Sequence, residues 1–348
     1  MKKILSLVLA SLMLLSLAAC GSGTQNPPSN GGDDSSPTYN LKCSTYISDS
    51  DSLMPVIQSY MDSVAEKSGG KIKITLYPGE QLGGYEQTFE ETMRGTIEFG
   101  FNAVPGTYDQ RLESAFVPGA ISTYDMLDQF CAPGSTVFNT YSEALDSLGI
   151  KLLGFFVGGY NNLCLNVEPP AGYADPTVAK DTVVRVPSGT AIVNDIVGAM
   201  GYRTAALPGV DVYSGLQTGV VDGTVGQSNT LVLSGYSDVV SYIVDTRMTA
   251  SIDPIFINKE LYESMPEEYQ QILEDCASEF YQQNIQFLKD EEVSTEEQLK
   301  EKNIEVVHLS DEERALLDEK VMEAVWPTIE ERYGADFLEG VKKDVGLS

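Results

Sequence analysis

A lone arginine, Arg185, stands in the apolar run Val183-Val184-Arg185-Val186-Pro187, followed at once by Ser188-Gly189 and a helix-like stretch. In open α/β sheets small ligands bind outside the carboxyl ends of strands, which is where this run places a guanidinium. Its planar fork can grip a carboxylate through two charge-assisted hydrogen bonds, a geometry that lysine does not reproduce. The competing reading is an ion pair with one of the many Asp and Glu residues of the chain. Other chemistries are thinly represented. The single histidine, His308, follows the strand-like Ile304 to Val307 and serves no Ser or Cys nucleophile motif, so it reads as a surface or edge residue. Cys43, Cys131, Cys164 and Cys276 lack C-x-x-C spacing and read as buried thiols, with one or two bridges left open. The acidic runs Asp290-Glu291-Glu292 and Asp311-Glu312-Glu313 lack the glycine turn of a calcium loop and read as solvated helix faces. No metal site and no cofactor is expected.

Composition narrows the field. Among 348 residues, 51 Asp and Glu outweigh 22 Lys and Arg, a formal charge of -29 that opposes any nucleic-acid or anionic-membrane role and favours a monomer. The N-terminus has the layout of an export signal: Lys2 and Lys3, an apolar run from Ile4 to Leu17, then small residues. Leu17-Ala18-Ala19-Cys20 followed by Gly21 resembles the bacterial lipobox, which makes Cys20 the expected lipidated first residue after removal of residues 1–19. The segment 20–38 is rich in Ser, Gly, Asn, Pro and Asp and reads as a flexible tether. A chain so anchored would work outside the cytoplasm, beside a membrane.

From Tyr39 onward, strand-like runs alternate with amphipathic helices, predicting an α/β architecture with mainly parallel pairing. Strands are expected at Leu41 to Tyr46, Lys71 to Tyr77, Thr96 to Phe101, Ile150 to Val157, Val183 to Val186, Val239 to Val244 and Ile255 to Asn258. Helices are expected at Ser52 to Lys67, Glu86 to Arg94, Thr136 to Leu148, Ala191 to Met200, Val210 to Thr218, Pro266 to roughly 302, and Ser310 to Arg332. Pro118 and Pro133 punctuate a loop-rich stretch. Trp326 reads as a packing residue.

Several short stretches then carry a resemblance in consistent order. They are Gly70-Lys71-Ile72-Lys73-Ile74, Leu76-Tyr77-Pro78-Gly79 with Gln81-Leu82-Gly83, Arg185-Val186-Pro187, and Asp211-Val212-Tyr213. Further on come Leu216-Gln217-Thr218-Gly219-Val220-Val221-Asp222-Gly223, Asn258-Lys259 with Leu261-Tyr262, and Met265-Pro266-Glu267-Glu268. From Tyr39 to about Tyr333 the chain resembles the DctP family, the extracytoplasmic solute receptors of tripartite ATP-independent periplasmic (TRAP) transporters. The resemblance implies a two-lobed periplasmic-binding-protein-like α/β fold, with crossing hinge strands and a long helix spanning both lobes. Lobe I would comprise 39–160 with about 250–290, and lobe II 161–249 with about 291–348.

The family's carboxylate-binding arginine falls on Arg185. Its contacts after the first strand fall near Tyr46, and those after the third near Asn102 and Ala103. A second arginine of sialic-acid-type members aligns with Asn161, an aromatic aligns near Gly209, and the usual Gln-Glu-Asn-Pro is replaced by Thr224-Val225-Gly226-Gln227. Gln227 and Asn229 stand as candidate polar substitutes. The function so implied is capture of a small organic acid in an interlobe cleft and delivery to TRAP membrane permease subunits. Two rivals differ in class: a receptor for an ATP-driven importer or a sensor kinase, and an anchored hydrolase using Ser188 or acidic pairs.

Overall fold

Two long antiparallel strands form the backbone of the fold in a computed structural model that describes residues 37–347; residues 1–19, Cys20 and nearly all of the tether lie outside the described residues. In chain order, β1 (Tyr39–Ser44), α1 (Met54–Lys67), β2 (Ile72–Tyr77), α2 (Tyr85–Met93) and β3 (Phe99–Phe101) make a first alternating unit. Helices α3 (Tyr124–Cys131) and α4 (Thr136–Ser147) lead into β4 (Ile150–Leu165). A second alternating unit follows: β5 (Val183–Pro187), α5 (Ala191–Ala199), β6 (Arg203–Leu207), α6 (Val212–Thr218) and β7 (Gly223–Gln227). The short α7 (Asn229–Leu231) runs into a wide turn at Val232–Tyr236, then β8 (Tyr242–Asn258), α8 (Lys259–Ser264), α9 (Glu267–Glu301), β9 (Glu305–His308), α10 (Asp311–Tyr333) and α11 (Ala335–Val345).

One sheet joins all the strands in the order β2-β1-β3-β8-β4-β7-β5-β6, with β9 added alongside β8. The pairing is mixed. β1 with β2 and β3, and β5 with β6 and β7, are parallel, but β3–β8, β4–β7 and the long β4–β8 ribbon are antiparallel. With β8–β9 also parallel, the mainly parallel expectation holds for most pairings, and it is the long antiparallel ribbon that departs from it. The ribbon also corrects two boundaries: the strand expected to stop at Val157 runs on to Leu165, and the separate strands at Val239 to Val244 and Ile255 to Asn258 are parts of one 17-residue strand. Gly158-Gly159 and Pro254 look like breaks in sequence. The ribbon absorbs the glycines in a register shift between Val157 and Gly159, one of three such irregularities along it, and Gly159 takes a φ of 113° that favours glycine.

The ribbon sorts the two alternating units to its opposite ends. β3 pairs with Ile255–Ile257 at the C-terminal end of β8, whereas β7 pairs with Asn162–Leu165 at the C-terminal end of β4. Each end therefore carries its own parallel wing. The 35-residue α9, about 50 Å long at 1.5 Å per residue, supports both. Its inward positions recur at helical spacing, and they enter three separate apolar clusters: Leu273 and Phe280 pack with β1 and β3, Ile285 and Leu288 with the central core, and Leu299 with β7-side residues. Burying each such leucine contributes about 1.5–3 kcal/mol. Trp326 packs against the central core and donates to the Pro118 carbonyl at 3.0 Å, as a packing residue should. The four described cysteines are free and buried.

One polar side chain ties helix to ribbon where the register shifts. Asn284, wholly buried in α9, accepts from the Val157 amide at 2.7 Å and donates to the Val157 carbonyl at 3.0 Å. Removing it strands both backbone groups away from water. Asn284→Ala is therefore expected to lower unfolding free energy by about 3 kcal/mol, read as a drop in the urea midpoint at unchanged slope.

Candidate functional site

The carboxyl ends of the parallel strands of both wings converge on the ribbon, and a cavity of about 180 Å³ lies there. Its wall takes Tyr46 from beyond β1, Ala103 and Val104 from beyond β3, Arg185 and Pro187 from β5, and Val225 to Gln227 from β7. The ribbon contributes Asn161, Thr249, Ser251 and Asp253, and α5 an apolar stripe that includes Val193, Ile196 and Val197. Helix α5 is held in place at its N-terminus: Glu113 accepts from the Ala191 and Ile192 amides at 3.1 and 3.0 Å, completing the turn that Thr190 leaves uncapped.

Arg185 is 3% exposed. Alternation along β5 sends Val184 and Val186 into the apolar core and Arg185 to the cavity. Its Nε donates to the Leu207 carbonyl at 3.0 Å and its Nη1 to the Val225 carbonyl at 3.5 Å, while Nη2 finds no protein acceptor among the described residues. Burial pulls its pKa below the usual guanidinium value, against the opposing influence of Tyr85, Tyr236 and Glu86. It enters no ion pair among the described residues, so the ion-pair reading of this arginine fails. Gly226, which passes beside the guanidinium, takes a φ of 93°, a backbone conformation that favours glycine.

A second charged group faces the same space. Asp253 accepts from the Tyr46 hydroxyl at 2.9 Å and from Ser251 Oγ at 2.8 Å, both at Oδ2. Burial pushes its carboxyl up to about 6, although both hydroxyls favour the ionised form. Asn161 donates to Thr249 Oγ1 at 3.1 Å, and its buried Oδ1 has no partner. Gln227 Oε1 accepts from Thr224 at 2.7 Å.

Of the residues singled out in sequence, Arg185, Tyr46, Ala103, Asn161 and Gln227 share this wall. Asn102 and Asn229 do not. Asn102 turns from the cavity to donate to Ser44 and Thr88 at 3.4 and 3.1 Å. Asn229 opens α7 and accepts from Asn162 at 3.2 Å, facing a smaller hollow of about 50 Å³ shared with Arg247, Glu292 and His308. Sequence reasoning passed over Asp253, Ser251 and Tyr85. Asp253 carries the signal that exposed Arg185, a single charge in an apolar strand, here Ile252-Asp253-Pro254-Ile255. Cys20 lies outside the described residues.

Neither Ser188, the hydrolase candidate of the sequence, nor the single histidine lines this wall. Ser188 donates to Glu86 at 3.2 Å, and His308, on the edge strand β9, contacts Asp245 and Glu296 at 3.3 and 3.1 Å. A pocket built from strand ends of two wings, with charged groups beside an apolar side, is the arrangement of a small-molecule-binding site.

Comparison with known proteins gives the class a family. The profile of DctP, described as bacterial extracellular solute-binding protein, family 7, matches residues 43–332, and the chain belongs to that family of TRAP-type solute-binding proteins. It is 23% identical to the ectoine-binding periplasmic protein TeaA of Halomonas elongata, covering 83% of this chain and 84% of that one. It is 24% identical to the C4-dicarboxylate-binding periplasmic protein DctP of Rhodobacter capsulatus, covering 81% and 84%. A TRAP periplasmic solute-binding protein from Desulfovibrio salexigens, solved with bound orotic acid, superposes with a TM-score of 0.79 at 22% identity, over 89% of this chain and 99% of that one. The family is extracytoplasmic and not enzymatic, which sets aside the hydrolase reading. No helix among the described residues is long and apolar enough to cross a membrane.

The site makes a prediction for stability. The Asp253 carboxyl titrates higher when folded than the ordinary carboxylate, so the native state favours its neutral form; that stabilisation is full below about pH 4 and is lost as pH rises through about 6. In ligand-free protein, Asp253→Asn should raise stability at pH 7 by on the order of 2 kcal/mol, and the gain should vanish near pH 4 in paired denaturation curves.

Proposed function

We propose that this chain is the solute receptor of a TRAP transporter, capturing a small carboxylate in the cavity between two hinged lobes and presenting it to membrane permease subunits driven by an ion gradient. The lobes of this reading are the two wings with their helices, 39–160 with about 250–290 and 161–249 with about 291–348, and the β4–β8 ribbon is their hinge. The observation that carries the carboxylate assignment is Arg185: a buried guanidinium with no protein carboxylate beside it and Nη2 unpaired at a cavity. Removing a cation from water costs several kcal/mol, and an anionic ligand would offset that cost.

Contacts between the wings support a closed state. Tyr85 donates to the Ser188 carbonyl at 3.3 Å, Ser188 to Glu86 at 3.2 Å, and Ser234 to Asp51 at 3.0 Å. Opening would exchange these for bonds to water, so a ligand need supply only a modest differential affinity to favour closure. Micromolar capture requires about 8 kcal/mol, and one charge-assisted bond contributes about 1.5–3 kcal/mol, so Arg185 orients and discriminates while burial of the ligand body supplies much of the rest. The sequence before the described residues supports a lipid anchor on Cys20, and the acidic surface supports a monomer.

Mass spectrometry of small molecules released by denaturing freshly purified protein should find an organic acid. Arg185→Ala should abolish its tight binding with little change in the thermal transition, and Arg185→Lys should lose most of the affinity because the fork is gone. Calorimetric titrations unchanged in both variants would overturn the reading.

A further inference from the structure

Building on the carboxylate reading, we propose that the ligand is a small zwitterion, its carboxylate held by Arg185 and its protonated nitrogen met by Asp253. The two hydrogen bonds that Asp253 receives both fall on Oδ2, so Oδ1 accepts from no protein group among the described residues. Asp253 also enters no ion pair there, although it is 9% exposed and lines the cavity. A buried carboxylate left in this state costs stability unless something bound compensates it.

The rest of the lining points the same way. Among the described residues Arg185 is the only cationic side chain in the wall, whereas Glu80 joins Asp253 as a second acid, its carboxyl also raised by burial. A simple anion would satisfy Arg185 and bring its charge toward two acids with nothing to offset them. Hydroxyl groups could fill the acceptors but would leave the Asp253 charge uncompensated; an ammonium or iminium nitrogen does both.

Size and texture restrict the body between the two poles. A cavity of about 180 Å³ is only somewhat larger than the roughly 150 Å³ that accommodates benzene in an engineered core. The apolar side of the wall, with Val104, Val193, Ile196, Val197, Met248 and Ile252, suits ring or branched methylene groups. The class is therefore a compact cyclic or branched amino or imino acid.

Matched acids with and without nitrogen test this on the purified full chain. L-Proline and L-pipecolate are compared by calorimetry with cyclopentanecarboxylate and cyclohexanecarboxylate, and with the polyhydroxy acid D-gluconate. The nitrogen-bearing acids are expected to bind at least tenfold more tightly than their carbocyclic twins. Asp253→Asn should bring that ratio close to one, weakening the nitrogen-bearing acids and, with one acid gone from the wall, strengthening the carbocycles, and Arg185→Ala should abolish binding of both. Equal or tighter binding of the carbocycles or gluconate, still dependent on Arg185, would overturn the zwitterion and leave the carboxylate reading intact. Absence of binding by every acid, or binding indifferent to Arg185, would overturn the carboxylate reading and this inference with it. Should Asp253→Asn fail to fold, the ratio in the unaltered protein decides.

Discussion

A guanidinium taken out of water without a carboxylate beside it is costly, and a fold tolerates one only where its geometry holds it firmly. Arg185 meets that condition through β6 and β7, whose Leu207 and Val225 carbonyls accept from it on either side. Leu207 closes β6 and the β5–β7 pairing stops at Arg185 and Thr224, so the parallel wing and the charge it carries are one construction. The opposing charge of Asp253 is arranged differently. Two hydroxyls, from Tyr46 and Ser251, crowd one of its oxygens and leave the other toward the cavity. The two groups thus keep their charges unspent on each other.

The β4–β8 ribbon makes this arrangement mechanical as well as electrostatic. It pairs with strands of both wings, and two of its register shifts lie beside residues that line the cavity, Asn161, Thr249 and Ser251 among them. Irregular pairing costs ladder bonds, and the Asn284 amide of α9 replaces two of them at Val157. A ribbon that bends at bulges while a straight helix is pinned to it at one bulge can flex without losing register. On the receptor reading, that is the property a hinge requires.

Much of this was legible in the residues. Apolar spacing located α1, α4, α5 and α9 to within a few positions, because a helix that must bury one stripe repeats it in sequence. The expected export signal and tether rest on composition alone and lie almost wholly outside the described residues. Arg185 could be picked out because a charge in a β-branched run contradicts its neighbours. The extent of the ribbon was hidden: glycine pairs and proline mark breaks in most chains, and only a partner strand long enough to bridge them turns a break into a bulge. β6 was also missed, since Arg203–Leu207 is short and half-exposed and owes its strand geometry to pairing with β5.

Local order in the chain thus specified element types, the acidic surface and the single arginine suited to an anion, since each depends on residues a few positions apart. Which side chains meet around the cavity depended on long-range pairing. Asn102 and Asn229 were reasonable candidates by position, but their amides turned to neighbours nearer than any ligand, Thr88 in one case and Asn162 in the other. Asp253 came to share a wall with Arg185 from 68 positions away because the ribbon lies beside the ends of β5 and β7, a juxtaposition that no local spacing encodes.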